Sequence, residues 1–123
     1  MGTHNNQFGK LGEDIAVGHL ERKGYKILVR NYRFARVEVD VICEHEKEVI
    51  FVEVKTRTSY KMAYPEQSVG KSKQRNIRLA AENFLEENQI TYPVRFDIIA
   101  VVKNESKFEI EHIEDAFYPF DVL

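Results

Sequence analysis

A single cysteine, Cys43, is the only thiol in the 123 residues. That excludes an intramolecular disulfide and any zinc site built from thiolates alone. No run approaches the roughly 18 apolar residues of a membrane span. The start Met1-Gly2-Thr3-His4-Asn5-Asn6-Gln7 lacks the apolar stretch of a signal peptide, so the cytoplasm is the expected location. His4, His19, His45 and His112 are scattered and form no paired ligand spacing. Internal repeats, low-complexity tracts and linkers are also missing. One domain is expected, with a core over about residues 8–114, a polar N-terminal tail 1–7 and an aromatic C-terminal tail 115–123.

A formal net charge of -2 argues against a broadly basic nucleic-acid-binding surface. The charge is unevenly placed, however. From Arg30 to Arg78 there are 11 Lys/Arg against 7 Asp/Glu, while the remainder holds 7 against 13. A basic region of that kind can hold phosphates on a protein that is acidic as a whole.

That region contains two β-branched segments, Val37-Glu38-Val39-Asp40-Val41-Ile42-Cys43 and Ile50-Phe51-Val52-Glu53-Val54-Lys55. A tight turn centred on Glu46-Lys47 places Ile42 opposite Phe51, Val41 opposite Val52, Val39 opposite Val54, Glu38 opposite Lys55 and Asp40 opposite Glu53. Cys43 falls in register with Val39 and Val41, as a buried bystander. Only the Asp40–Glu53 pair sets like charges against each other. Opposed side chains sit about 5 Å apart at Cβ, where like charges are destabilising, so something positive is expected between these two. A divalent cation is the simplest candidate, since magnesium takes one or two carboxylates plus water and phosphate. Lys55, two residues from Glu53, projects from the same strand face. The competing explanation is a solvent-facing polar edge with an incidental Glu-x-Lys.

Helical spacing predicts a first helix over about Phe8–Lys23, with Leu11, Ile15, Ala16, Val17 and Leu20 as its apolar face and Gly24 as C-terminal cap. Glu13 shares a side with Ala16, Val17 and Leu20, so it points toward the sheet. It is either a first-turn acid favoured by the helix dipole or a functional group. Strands are predicted at about Tyr25–Arg33, Val37–Glu44 and Glu48–Arg57. A loop over Thr58–Gly70 comes next, of a length often used for lids or binding loops. A second helix is predicted over Lys71–Glu87, buried through Ile77, Ala80, Ala81, Phe84 and Leu85. Lys73 extends that stripe, and Lys71, Arg75 and Arg78 form a basic ridge or an ordinary solvated face. Strands at Val94–Val102 and Lys107–Ile113 complete the order α-β-β-β-α-β-β, which implies an α/β fold with a mixed sheet and helices packed against it. Asp97, in Arg95-Phe96-Asp97, is expected to be a structural partner for a neighbouring arginine or backbone amide.

Several strings, in order, resemble the YraN family: Gly9-Lys10-Leu11-Gly12-Glu13-Asp14-Ile15-Ala16, Gly24-Tyr25-Lys26-Ile27-Leu28-Val29-Arg30-Asn31-Tyr32-Arg33, Glu38-Val39-Asp40, Phe51-Val52-Glu53-Val54-Lys55-Thr56-Arg57, Lys73-Gln74-Arg75 and Arg95-Phe96-Asp97. The resemblance covers about Phe8 to Val102. It implies a restriction-endonuclease-like three-layer fold, similar to archaeal Holliday junction resolvases, and an endonuclease activity. Carried onto this chain, it makes Asp40 and Glu53 ligands of Mg2+ or Mn2+, Lys55 the active-site lysine, Glu13 an additional acid and Lys73 a neighbour of the phosphate. Arg33, Arg36, Arg57, Lys71, Gln74 and Arg75 are the accompanying candidates for nucleic-acid contact, with DNA the expected partner. The chain departs from the family at Val37, where a glycine is usual, and around Met62–Pro65, which lacks a Phe-Gly. Two other readings stay open: a nuclease-like fold that binds nucleic acid without cutting, and a protein-interaction module using Ala116-Phe117-Tyr118-Pro119-Phe120. That tail is otherwise expected to pack over the core or against a twofold partner in a homodimer.

Overall fold

A computed structural model describes residues 3–58 and 69–121, with side chains described for residues 7–58 and 69–120. Seven main elements succeed one another: α1 (Thr3–Arg22), β1 (Lys26–Phe34), β2 (Val37–His45), β3 (Glu48–Arg57), α2 (Lys71–Glu87), β4 (Val94–Asn104) and β5 (Lys107–Ile113). The sheet is in chain order, β1-β2-β3-β4-β5. Its β3–β4 pair is parallel and the other three are antiparallel. Parallel neighbours need a crossover, and α2 lies within the one that joins β3 to β4.

The two helices cover opposite faces. On one, Ala16, Val17 and Leu20 of α1 close over Val41, Cys43, Ile50, Val52, Ile99 and Val101. On the other, Ile77, Ala80, Ala81 and Phe84 of α2 close over Val39, Ile42, Phe51, Phe96 and Ile98. A central strand buried on both faces reads as a nearly continuous apolar run, which is what Val49-Ile50-Phe51-Val52 supplies. The result is the expected mixed-sheet, three-layer α/β fold in the expected order. Among the described residues no helix is long and apolar enough to cross a membrane.

The β2–β3 turn lies where the sequence puts it. Glu46 and Lys47 have φ of 50° and 63°, the paired left-handed conformation of a two-residue type I′ hairpin turn, reached here without Gly or Asn. Gly24, at φ 88°, closes the end of α1, in the conformation that a glycine cap accepts at no steric penalty. α1 begins at Thr3, earlier than expected, so residues 3–7 extend the helix and do not form a tail. The aromatic tail packs inward. Phe117 and Phe120 lie 5.6 and 5.8 Å from the Phe96 ring, and the Ala116 amide donates to the Phe96 carbonyl at 2.8 Å. The candidate loop beside the site falls mainly on residues 59–68, outside the described residues.

One expectation about register needs correction. The β2–β3 ladder runs as expected from His45↔Glu48 to Val41↔Val52, and stops there. Beyond it the Val54 amide donates to the Asp40 Oδ2 at 2.8 Å, so a side chain takes the place of a backbone acceptor. The Asp40–Glu53, Val39–Val54 and Glu38–Lys55 cross-strand pairings do not form. Glu38 turns to Arg33, 3.2 Å away. Val39 and Val41 also face opposite layers, and Cys43 shares a core with Val41 but not with Val39. The strand phase changes locally here, and Asn31, between the pairs Arg30↔Val41 and Tyr32↔Val39 on the neighbouring strand, sits at φ 55°.

Candidate active site

The phase change leaves Asp40 at the opening between β2 and β3, where it lines a cavity on either side of the sheet. One, of about 540 Å³, is bounded by Arg36, Glu38, Asp40, Glu53, Lys55, Lys73 and Asn76. The other, of about 620 Å³, is bounded by Phe8, Lys10, Glu13, Asn31, Asp40 and Thr56. Burial, and then the neighbouring Glu53 charge, push the Asp40 carboxyl up to about 7. The Val54 amide and Lys73 pull the other way, without reversing the shift.

Glu53 is 4 % exposed. Its Oε2 accepts the Lys73 ammonium at 3.0 Å, while its Oε1 is buried without a hydrogen-bond partner. Such an orphaned buried oxygen is uncommon, because desolvating it without a partner is costly. Lys55 projects into the same cavity. Burial, and then the adjacent Lys73 ammonium, hold its pKa below the usual lysine value. Asp40, Glu53, Lys55 and Lys73 are therefore brought together. They form two acids that need a cation and two amines that compete to supply one.

Glu13 comes to the other cavity. Its Oε1 accepts from Arg30 Nε at 3.1 Å and Nη2 at 2.9 Å, and its Oε2 accepts from Asn31 Nδ2 at 2.9 Å. Arg30 also holds Asp14 at 2.6 Å. Among the described residues no three acids, histidines or cysteines gather closely enough to hold a metal together. Asp40 and Glu53 line one cavity and interact electrostatically, and magnesium takes one or two carboxylates when water and phosphate complete its shell. The orphaned Glu53 oxygen and the Asp40–Glu53 repulsion both fit a divalent ion there.

The basic candidates divide. Arg36 is exposed at the rim of the Glu53 cavity, Arg57 is half-buried at the end of β3, and Lys71 is exposed at the start of α2. Arg33 is engaged with Glu38. Arg75 reaches Ser72 at 3.2 Å. The Gln74 side chain is used locally, donating to the Val69 carbonyl at 3.0 Å across the first turn of α2.

A second polar cluster, on the α1 face, was legible only at its Arg95–Asp97 centre. Arg95 grips the fully buried Asp97 through bonds of 2.9 and 2.8 Å. His112 Nε2 meets the same carboxylate at 2.7 Å, and the Asp115 amide donates to it at 3.0 Å. Arg95 also donates to the Tyr25 hydroxyl at 2.8 Å, and Tyr25 stacks on His45 at 4.1 Å. The structural role expected of Asp97 is what the structure shows. The gathering of His19, His45 and His112 from three elements has no local signal in the chain.

Comparison with known proteins agrees with the motif order. Residues 12–101 match a family described as uncharacterised protein family UPF0102. A UPF0102 protein of Flavobacterium psychrophilum is 42% identical over 120 residues, covering 98% of this chain and 100% of that protein. One from Bacteroides thetaiotaomicron is 44% identical over 117 residues, covering 95% and 97%. One from Syntrophotalea carbinolica is 46% identical over 110 residues, covering 89% of each. The chain therefore belongs to UPF0102, the YraN family.

Proposed function

We propose that this chain is a metal-dependent endonuclease that hydrolyses phosphodiester bonds in DNA, choosing its target by strand structure and not by base sequence. The observation that carries the proposal is the state of Glu53: one oxygen held by Lys73, the other buried and unpartnered, beside an Asp40 that its charge disfavours. Asp40 and Glu53 are the residues that would hold Mg2+ or Mn2+, which supplies polarisation of a phosphate oxygen and acidifies a water for in-line attack. Lys55 orients the attacking water and offsets negative charge developing on the phosphoryl oxygens. Glu13, fixed by Arg30 and Asn31, orders solvent on the far side of Asp40. Arg36, Arg57, Lys71 and Arg75 hold flanking phosphates, with Arg33 at the edge of the same surface; such contacts fix position and carry no sequence information. A DNA substrate fits a cytoplasmic protein, and cutting both strands of a branch calls for two copies, hence a homodimer.

Binding without cleavage is the second reading. It is favoured by Glu13, whose two oxygens are engaged by Arg30 and Asn31 and which stands apart from Glu53. A cleavage panel of branched, flapped, duplex and single-stranded substrates with Mg2+ or Mn2+ separates the two. Wild type is expected to cut at least one branched substrate, while Asp40→Asn and Lys55→Ala stay folded and inactive. Activity that survives either substitution would place the chemistry elsewhere, and nucleic-acid binding with no cleavage by the wild type favours the second reading.

A further inference from the structure

A carboxylate as buried as Glu53 needs a positive partner in every state, because an uncompensated buried charge is strongly destabilising. In this structure the partner is the Lys73 ammonium, 3.0 Å from Oε2. Lys73 is not itself a buried structural cation. Its side chain keeps 42 % exposure, it enters from the first turn of α2, and it lines one cavity with the Lys55 amine. A monovalent head group thus sits beside the oxygen that a divalent ion would take. An ammonium on Oε2 and a divalent ion on the unpartnered Oε1 would share one small carboxylate and repel each other.

Resting on the nuclease reading of the same site, we propose that Lys73 is the counter-ion of Glu53 before a metal binds, that a divalent cation displaces it, and that the released ammonium then grips a phosphate of the nucleic acid lying in the cavity. The movement is short. Lys73 already lines that cavity with Arg36 and Lys55, and a lysine head group turns freely on its four-carbon stem. Cation and nucleic acid are then coupled through one side chain. Each raises the affinity of the other, and linkage makes that coupling reciprocal.

The test uses the full chain, its Lys73→Gln variant and Lys71→Gln as a control for general loss of basic charge on α2. Mn2+ affinity is measured by calorimetry, and affinity for a fluorescent branched DNA by anisotropy, with and without Ca2+. Lys73→Gln is expected to bind Mn2+ several-fold more tightly than wild type, because the competing cation is gone. It is expected to bind the DNA as wild type does in the absence of Ca2+ and several-fold more weakly in its presence. Lys71→Gln should weaken DNA binding by the same factor in both conditions and leave Mn2+ affinity alone. Unchanged or weaker Mn2+ binding by a folded Lys73→Gln overturns the displacement, and so does an equal loss of DNA affinity with and without Ca2+. These results leave the nuclease reading standing. No Mn2+ uptake by any variant, or no DNA binding by the wild type, removes that reading and this inference together.

Discussion

Asp40 and Asp97 are two buried acids with opposite solutions to burial. Asp97 is satisfied by Arg95, His112 and the Asp115 amide, and the hydrogen bonds of His112 and Arg95 outweigh burial and hold its pKa below the ordinary carboxylate range. Its stabilising contribution is therefore complete above the unfolded-state value and fades as pH falls through the folded one. Arg95→Ala leaves that carboxylate buried and short of its main partner, and thermal denaturation should register a loss of about 3–5 kcal/mol. Asp40 behaves the other way. Its pKa is raised to about 7 by burial and by Glu53, so the folded state favours the protonated acid, and the associated stability is full below the unfolded value and lost as pH rises through about 7. Metal-free wild type should thus lose stability relative to Asp40→Asn between about pH 4 and pH 7, by on the order of 4 kcal/mol at most. Added Mg2+ should reverse the trend, since it takes the carboxylate form; melting curves at the two pH values, with and without Mg2+, provide the check. At this scale the chain was readable where chemistry lies in a short repeat. Glu53 and Lys55 two apart on a strand, and Arg95 and Asp97 two apart on another, announce shared faces. The grip of Arg30 and Asn31 on Glu13 was not readable, because it joins a helix to a strand through side-chain reach.

α1 approaches β3 through a glycine. A Cβ at Gly12 would collide with the Thr56 hydroxyl and stand 2.8 Å from its methyl group, so the helix packs at this distance only because the position carries no side chain. Gly12→Ala should push the first turns of α1 off the sheet and carry the next residue, Glu13, away from Arg30. The expected loss is about 1–3 kcal/mol of stability, as for overpacked contacts. The proposed nuclease activity should fall with it, and the measurement is a melting curve beside a cleavage assay on the same preparation. The elements themselves were largely legible. β3, α2 and β5 begin and end where periodicity puts them, because each pairs a strong apolar pattern with a clear flanking turn. The end of the β2–β3 ladder was not, since regular alternation continues through Val39 and Val41 while the backbone does not. The phase change is accompanied by a left-handed Asn31 on the neighbouring strand, and no rule applied to β2 alone reports it.

At the scale of the whole molecule, the C-terminal aromatics seal the α2-side core. Phe117 and Phe120 meet Phe96, which itself stacks on Phe51 at 5.2 Å, so the tail is continuous with the core beneath the strand that carries Glu53. Phe117→Ala should lower stability by about 1–3 kcal/mol, below the usual figure for a fully buried phenylalanine, because this ring is half-buried. Amide exchange should quicken along β4 while the site residues keep their positions. A mixed sheet with helices packed against it could be inferred from the succession of elements, yet the inward fold of the tail was one of two outcomes the sequence allowed. The unusual bond from the Val54 amide to the Asp40 carboxylate ties the middle strand to the chemistry beside it. That proton is a built-in reporter: its NMR resonance should shift when the acid gains a proton or trades its partner for an ion, allowing occupancy to be followed without any substrate at all.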